Sequence, residues 1–393
     1  MTRESSIPNT LEIIKEGIAR LENWVENHEY KGYDPFDGLS SFLRPLTFHN
    51  VFLERVLQQS IRQFPFNLRP ILGVPPQESP IGRGYMAWGY LTMFRATTEK
   101  KYLRKAEACL DWLAINKSSG YKESTWGNNF DYASRSGSMQ RYEPTIVWSS
   151  LIGRAFMEAY ELTGERKYIE IAISICEWIL RLPRERTARG ACLSYVAENQ
   201  LSIHNSNMLG AAMLARTGKY SGNNEYFRVA REAVEYSCAR QRENGAWYYG
   251  EEPKYHWIDN FHTGYNLDSL KCYIDHTGDK NFEGNLHRGY DFFINNFFEG
   301  DGRPKYYFNR MYPIDIQCAS QAIDTLINFS SYNPSGFEKA LRVSAWVIKN
   351  MQDPAGYFYY RILPWKKVKI PMVHWGDATI YKALSHLLAK IPT

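Results

Sequence analysis

The stretch TIVWSSLIGRAFMEAYELTGERKYIEIAISICEWIL, residues 145–180, decides the fold. Its first half is apolar nearly all round, which predicts a helix buried on every face. Its second half places Tyr168, Ile171, Ala172, Ile175, Cys176 and Ile179 at i, i+3, i+4 spacing, the pattern of a helix with one buried stripe. Between the halves, Gly164 can end one helix in the left-handed region, and Glu165 then complements the next helix's N-terminal dipole. The segment therefore reads as one helical hairpin, with an inner helix, a tight connector and an outer helix.

The unit recurs. Connectors of the same chemistry appear at 97–102 (TTEKKY), 162–168 (LTGERKY), 220–227 (YSGNNEYF), 276–282 (HTGDKNF) and 333–337 (NPSGF). Inner helices are expected to start near Gly84, Pro144, Asn205, His262, Ile316 and His374, a period of 54 to 61 residues that marks a repeat architecture. The sixth inner helix ends the chain without an outer partner. A lone amphipathic stripe at 10–28, carrying Leu11, Ile14, Ile18, Leu21 and Val25, can supply it. The expected fold is all-α, an (α/α)6 toroid forming a single domain over 1–393. Residues 30–80, rich in Pro, Gly and Phe with one helix near 49–64, form an irregular rim or lid insertion. Loops that pair Gly with aromatics at 120–132, 245–257, 302–313 and 356–365 predict short β-hairpins around one mouth, where a ligand cleft should lie.

Composition bounds the function classes. Hydrophobic residues at 44% and charged residues at 23% describe a folded globular chain. The 28 Tyr and 11 Trp exceed core needs and suit a concave site for sugars or other flat ligands. A net charge of +5 without any long Lys/Arg run argues against nucleic acid and leaves a preference for anionic ligands. The six cysteines are scattered, with no CxxC or Cys–His pair, so neither a zinc site nor a disulfide framework is expected, and no cofactor. The N-terminal MTRESSIPNTLEIIKEG lacks the apolar core of a signal peptide, and no run is long enough to span a membrane, so a cytoplasmic placement is expected. Oligomeric state is left open by these features.

The segments HNSNMLGAAMLA (204–215), WIDNFHTGYNLDSL (257–270) and YYFNRMYPIDIQCASQAI (306–323) resemble the six-hairpin glycosidase superfamily, especially proteins of bacterial exopolysaccharide clusters. The resemblance spans residues 82–393. It implies a carbohydrate ligand in the toroid mouth, since that superfamily holds unsaturated glucuronyl hydrolases, polysaccharide lyases and sugar epimerases. The W-x-D-x-x-H-T portion is similar to a segment of glucuronyl C5-epimerase catalytic domains. Terpene cyclases and lanthionine cyclases share helical toroids, but this chain has no DxDD or DDxxD cluster and no grouped Cys and His ligands.

Side chains near the inner-helix N-termini are the candidates for chemistry. Glycoside hydrolysis requires two carboxyl groups, for which Asp259 and Asp315 are the first pair and Asp377 and Glu143 the substitutes. A lyase or epimerase instead abstracts a proton beside a carboxylate, a task for His262 and Tyr265, with Arg to neutralise a uronate. His262 stands out because Asp259 lies one helical turn before it. Candidate substrate-binding residues are His204, Asn207, Arg83, Arg141, Arg310, Tyr307, Trp126, Trp257, His374 and Trp375. For the three aspartates, helix N-capping is the alternative role. The expected activity is glycosidase-like, on an acidic saccharide of polysaccharide metabolism. A uronate lyase or C5-epimerase, or a non-catalytic saccharide-binding scaffold, are the alternatives.

Overall fold

The computed structural model describes residues 6–391 except Pro65 and Ser136; the first five residues of the N-terminal stretch lie outside it. Six inner helices, α3 (Pro80–Thr97), α5 (Ile146–Thr163), α7 (His204–Ser221), α9 (Asn260–Thr277), α11 (Ile316–Asn328) and α13 (Thr379–Ala389), form a ring in which each packs on the next. The ring closes where α13 packs on α3. The outer helices α4 (Lys100–Ile115), α6 (Arg166–Arg181), α8 (Asn224–Cys238), α10 (Glu283–Asn296) and α12 (Ser335–Met351) each pack on the inner helix before them. The helix α1 (Ser6–Asn27) covers α13 and also touches α12, so the chain's first helix is the sixth outer helix. The fold is an (α/α)6 toroid.

Helices α5, α7 and α9 end on Gly164, Gly222 and Gly278, all with φ near +70°, and α3 ends on Thr98 in the same region. These left-handed caps satisfy the last carbonyls and reverse the chain within two residues. The fifth connector differs. Helix α11 stops at Asn328, and Gly336 lies inside α12, where an added Cβ would sit 2.6 Å from Tyr290 Oη. That glycine serves close helix packing and does not terminate a helix.

A second repeated device joins neighbouring hairpins. Gly190, Gly245, Gly302 and Gly356 all adopt positive φ, and a Cβ on any of them would overlap the backbone of the following outer helix, at Glu232, Arg288, Arg342 and Arg20 respectively. Gln241 Nε2 donates to Gly245 O and Asn285 O; Gln352 Nε2 donates to Gly356 O and Gly17 O, repeating the clamp one closure later. The loop after α12 therefore docks on α1 as the others dock on their own next helices.

Of the four loops expected to form hairpins, 356–365 overlaps one, 120–132 shares only its last residue with one, and the other two carry none. Strands form at β3 (Tyr132–Ser134) with β4 (Gly137–Met139), at β5 (Arg184–Thr187) with β6 (Gly190–Leu193), and in a three-stranded sheet of β7 (Ile314–Asp315), β8 (Tyr359–Leu363) and β9 (Lys366–Pro371). The 245–257 and 302–313 loops make only isolated bridges, such as Asp259 with Tyr307, because their aromatics turn into a cavity wall instead of pairing across a ladder. The lid insertion is clasped at its base, where β1 (Lys31–Gly32) pairs with β2 (Gln77–Glu78). Inside it, the fully buried Arg69 binds Asp37 at 2.7 and 3.0 Å and donates to Asp34 O. Its helix α2 (Val51–Gln63) is fastened to β3 by Gln58, which donates to Ala133 O and accepts from Ala133 N like one rung of a sheet.

The docking glycines supply a stability test. Gly356→Ala combines positive φ with backbone overlap and should cost about 2–4 kcal/mol, whereas Gly120→Ala, also at positive φ but with open space, should cost about 1–2 kcal/mol. Thermal unfolding of the two variants checks the order, and equal shifts would contradict the docking argument.

Candidate active site

Inner helices joined by antiparallel outer helices all run in one direction, so their six N-termini and the long loops share one mouth. There the chain encloses a cavity of about 1180 Å³, large enough for an oligosaccharide segment. Its wall combines inner-helix N-termini, the 245–257 and 302–313 loops, the β3–β4 hairpin and the lid helix α2.

At the head of α9, Asp259 is the N-cap. Its Oδ1 accepts from His262 N at 3.0 Å, while its Oδ2 accepts from Trp257 Nε1 at 2.9 Å and lies 2.7 Å from His262 Nδ1. A carboxylate that already takes two N–H donors selects the Nδ1–H tautomer of His262, which leaves Nε2 as the basic nitrogen. The ring stands between Tyr249 and Phe261 on the cavity wall, and Asp259 is buried behind it.

A second imidazole lines the same cavity. His374 lies in a π-helical turn, Val373–Ala378, that precedes α13, and its Nδ1 forms an ion-pair contact with Asp34 Oδ2 of the lid. Asp34 is itself buried and accepts from Phe36 N at 2.9 Å. Of the three histidines on the cavity wall, His262 and His374 each meet a buried carboxylate at Nδ1, whereas His256 Nε2 lies against Glu251 O. Only one of these pairs is local in sequence.

The remaining candidates separate into two groups. Tyr265, Tyr307, Arg310, Trp257 and Trp375 line the cavity with His262 and His374. Tyr265 Oη accepts from Gln317 Nε2 at 2.7 Å and pairs with Tyr85 Oη, and burial holds its pKa well above the ordinary phenol value. Burial raises the phenols of Tyr249 and Tyr306 in the same way.

The others lie outside the wall, each with a partner that explains its place. Asp315 caps α11 through Gln317 N and accepts from Trp375 Nε1 at 3.0 Å, so it anchors a cavity tryptophan as Asp259 anchors Trp257. Asp377 is buried and accepts from Phe358 N. Burial raises the pKa of both. Glu143 accepts from Gln140 N, and Arg141 is exposed, its backbone N bonded to Asp131. His204 spans Ser237 and Glu251, and Asn207 binds Leu193 N, Ala233 O and Ser237, so both tie α7 to its neighbours. Arg83 turns outward onto Glu78, Cys109 and the Tyr30 ring. Trp126 is buried, donating to Leu113 O.

Among the described residues the cavity wall contains no Asp or Glu, yet it contains Arg55, Arg62, Arg135, Arg242, Lys254 and Arg310. Of these, Arg310 alone was named among the candidates in the sequence. Arg55, Gln58, Gln59 and Arg62 form a polar stripe at helical spacing on α2, a signal visible in the chain but without a surface to assign it to. Asp34 carried no local signal at all. No group of three or more His, Cys, Asp or Glu is gathered as metal ligands among the described residues.

No family model and no curated protein matches this chain. Solved structures share its fold. A cellobiose 2-epimerase from Bacillus thermoamylovorans has TM-score 0.61 at 12% identity, over 79% of this chain and 87% of that one. An unsaturated glucuronyl hydrolase specific for heparin has TM-score 0.61 at 12% identity, over 96% of both chains. An α-mannanase of Bacteroides thetaiotaomicron has TM-score 0.61 at 10% identity, over 79% and 86%. These likenesses show the fold, a ring of six helical hairpins, which is the architecture the resemblance implied.

A wall of cations without carboxylates should bind anionic saccharides in a salt-dependent way. Titration calorimetry with uronate-containing oligosaccharides should show affinity falling by roughly tenfold or more between low and high salt, and further in an Arg62→Gln/Arg310→Gln variant. Neutral oligosaccharides binding equally well would contradict this reading.

Proposed function

We propose that this chain is a carbohydrate-active enzyme of the glycosidase-like toroid class, acting on an acidic saccharide of polysaccharide metabolism by proton transfer. The observation that carries the proposal is the pair of carboxylate-backed imidazoles, His262 and His374, on one carboxylate-free cavity wall. Such a pair suits removal of a proton from carbon next to a carbonyl or carboxylate. One Nε2 takes the proton and negative charge develops on the adjoining oxygen, where Arg and neutral Tyr donors stabilise it. Return of a proton from the other imidazole gives an epimer; departure of a β-oxygen substituent gives an unsaturated sugar. Asp259 and Asp34 are the positioning groups. Trp257 and Trp375, held by Asp259 and Asp315, are the platforms for pyranose faces.

Hydrolysis is the second reading, favoured by the full-length likeness to the glucuronyl hydrolase. In both readings the whole chain acts as one toroid domain, with residues 30–80 as its rim or lid insertion. The cytoplasm is the proposed compartment, supported by six cysteines that are all free, five of them buried. No described helix is long and apolar enough to cross a membrane.

Incubation with uronate-containing and neutral oligosaccharides in deuterated water separates the reactions. Solvent deuterium at a former C–H position identifies proton transfer, and new absorbance from an unsaturated product distinguishes a lyase. His262→Ala and His374→Ala should each reduce turnover by roughly 10²–10⁴-fold with binding retained. Cleavage without deuterium on carbon would favour hydrolysis, and binding without any turnover across the panel would favour a scaffold.

A further inference from the structure

The segments around the cavity mouth are bonded to one another in a circuit. Helix α2 joins β3 through Gln58, which donates to Ala133 O and accepts from Ala133 N. From the β3–β4 hairpin, Arg135 Nη1 donates to Lys254 O at 2.9 Å, which ties the hairpin to the 245–257 loop. That loop leads into the Asp259–Tyr307 bridge with 302–313, beside which Asn260 N donates to Tyr306 O at 2.9 Å. Strand β7 then pairs with β8. The circuit closes where β8 returns to α2, since Arg62 Nε donates to Tyr360 Oη at 2.8 Å and Arg361 Nη2 donates to Gln63 Oε1 at 3.0 Å. The mouth is therefore framed by a continuous collar.

The other end of the cavity is closed. Helices α3 and α9 stand three places apart in the ring of six, so they face each other across the barrel axis. Tyr85 and Tyr265 extend from them and meet with their hydroxyls 2.9 Å apart. Each is the sixth residue of its helix, which sets the pair about 8 Å below the helix starts. Further along the helices, buried Lys382 lies over the Tyr85 ring and binds Asp324 at 2.6 Å, while Arg154 Nη2 donates to Ser269 Oγ. A framed mouth above a sealed floor makes a cup with one entrance. A polymer threading a site needs a way in and a way out, whereas a chain end needs only the first.

Two amide side chains on the cup wall carry an oxygen without a partner among the described residues, Gln317 Oε1 and Asn205 Oδ1. The two residues are only 4% and 2% exposed. A buried amide atom left unpaired is costly, and a sugar hydroxyl, which both donates and accepts, satisfies it in either amide orientation. A terminal sugar keeps a hydroxyl that an internal unit has exchanged for a glycosidic bond. We propose that the site takes saccharides end-on, with the terminal sugar in the cup and its hydroxyls on Gln317 and Asn205, and does not engage internal units of a polymer. This mode of binding rests on the saccharide reading of the cavity.

Sedimentation velocity of the full chain with short and long chains of hyaluronan, alginate and polygalacturonate, and of neutral pullulan, tests it. End-on entry predicts one bound protein per chain at saturation, whatever the chain length. Several proteins on one long chain would overturn the proposal. A bulky fluorophore should block binding from one chain end and leave binding intact from the other, and binding untouched by either tag would also overturn it. Gln317→Met and Asn205→Ala should each weaken binding of short chains by about tenfold with thermal unfolding unchanged. Full affinity in both variants would remove the hydroxyl assignment. Pullulan bound once per chain, with uronate chains left unbound, would defeat the acidic reading and keep end-on entry; uronate chains each carrying several proteins would do the reverse. Absence of binding to every chain would overturn both.

Discussion

A ring of helices has no edge only if its last member meets its first, and this constraint organises the molecule. The apolar inner surface of α13 packs on α3, and its outer surface is covered by α1, more than 350 residues away in sequence. The same clamp of glycine turn and glutamine that fastens other neighbours fastens α12's loop to α1. Closure also decides where chemistry can occur. Two-residue connectors leave one end of the barrel short, so the long loops and the six helix N-termini, each with its positive dipole end, collect around the other. The cavity is therefore electropositive before any Arg or Lys is counted.

At that mouth, helix capping and the shaping of the cavity wall fall on the same atoms. Asp259 satisfies orphan donors of α9, holds the Trp257 indole and sets the His262 tautomer. Asp315 caps α11 and holds Trp375. An N-cap aspartate is tolerated in burial because backbone N–H groups and the helix dipole stabilise it. Once buried, it is withdrawn from the cavity, and the histidine and tryptophans it orients are what a ligand would meet. Capping and a role in the site, weighed as alternatives for these aspartates in the sequence, are combined here at one remove. The π-helical turn at Val373–Ala378 has a related effect, since its wider turn presents His374 and Trp375 together at the head of the sixth inner helix.

The helical hairpins were legible because their signals are local. Positive-φ glycines, a dipole-matched acid and a switch from all-round to one-sided hydrophobicity each act within a few residues. Expectation failed where a local signal had two physical uses. Gly336 looks like a helix terminator but makes room for Tyr290, and the aromatics of 245–257 and 302–313 look like strand residues but pave the cavity. His262 could be chosen from sequence because its carboxylate partner is three residues away. The contact of His374 with Asp34 carries no such signal, because the two residues lie at opposite ends of the chain.

By itself, then, the sequence determined the repeat, the number of hairpins and the need for the N-terminal helix to close the ring, because hydrophobic period and capping depend only on near neighbours. The tertiary structure decided which polar groups converge. Arg55 and Arg62 reach the cavity because Gln58 pins α2 to the β3 strand, and Asp34 reaches His374 because the β1–β2 clasp and the Arg69–Asp37 pair fold the lid back over the mouth. Those contacts join residues separated by tens to hundreds of positions. No short-range pattern encodes such a distance, so the electrostatics of the site emerge only with the closed ring.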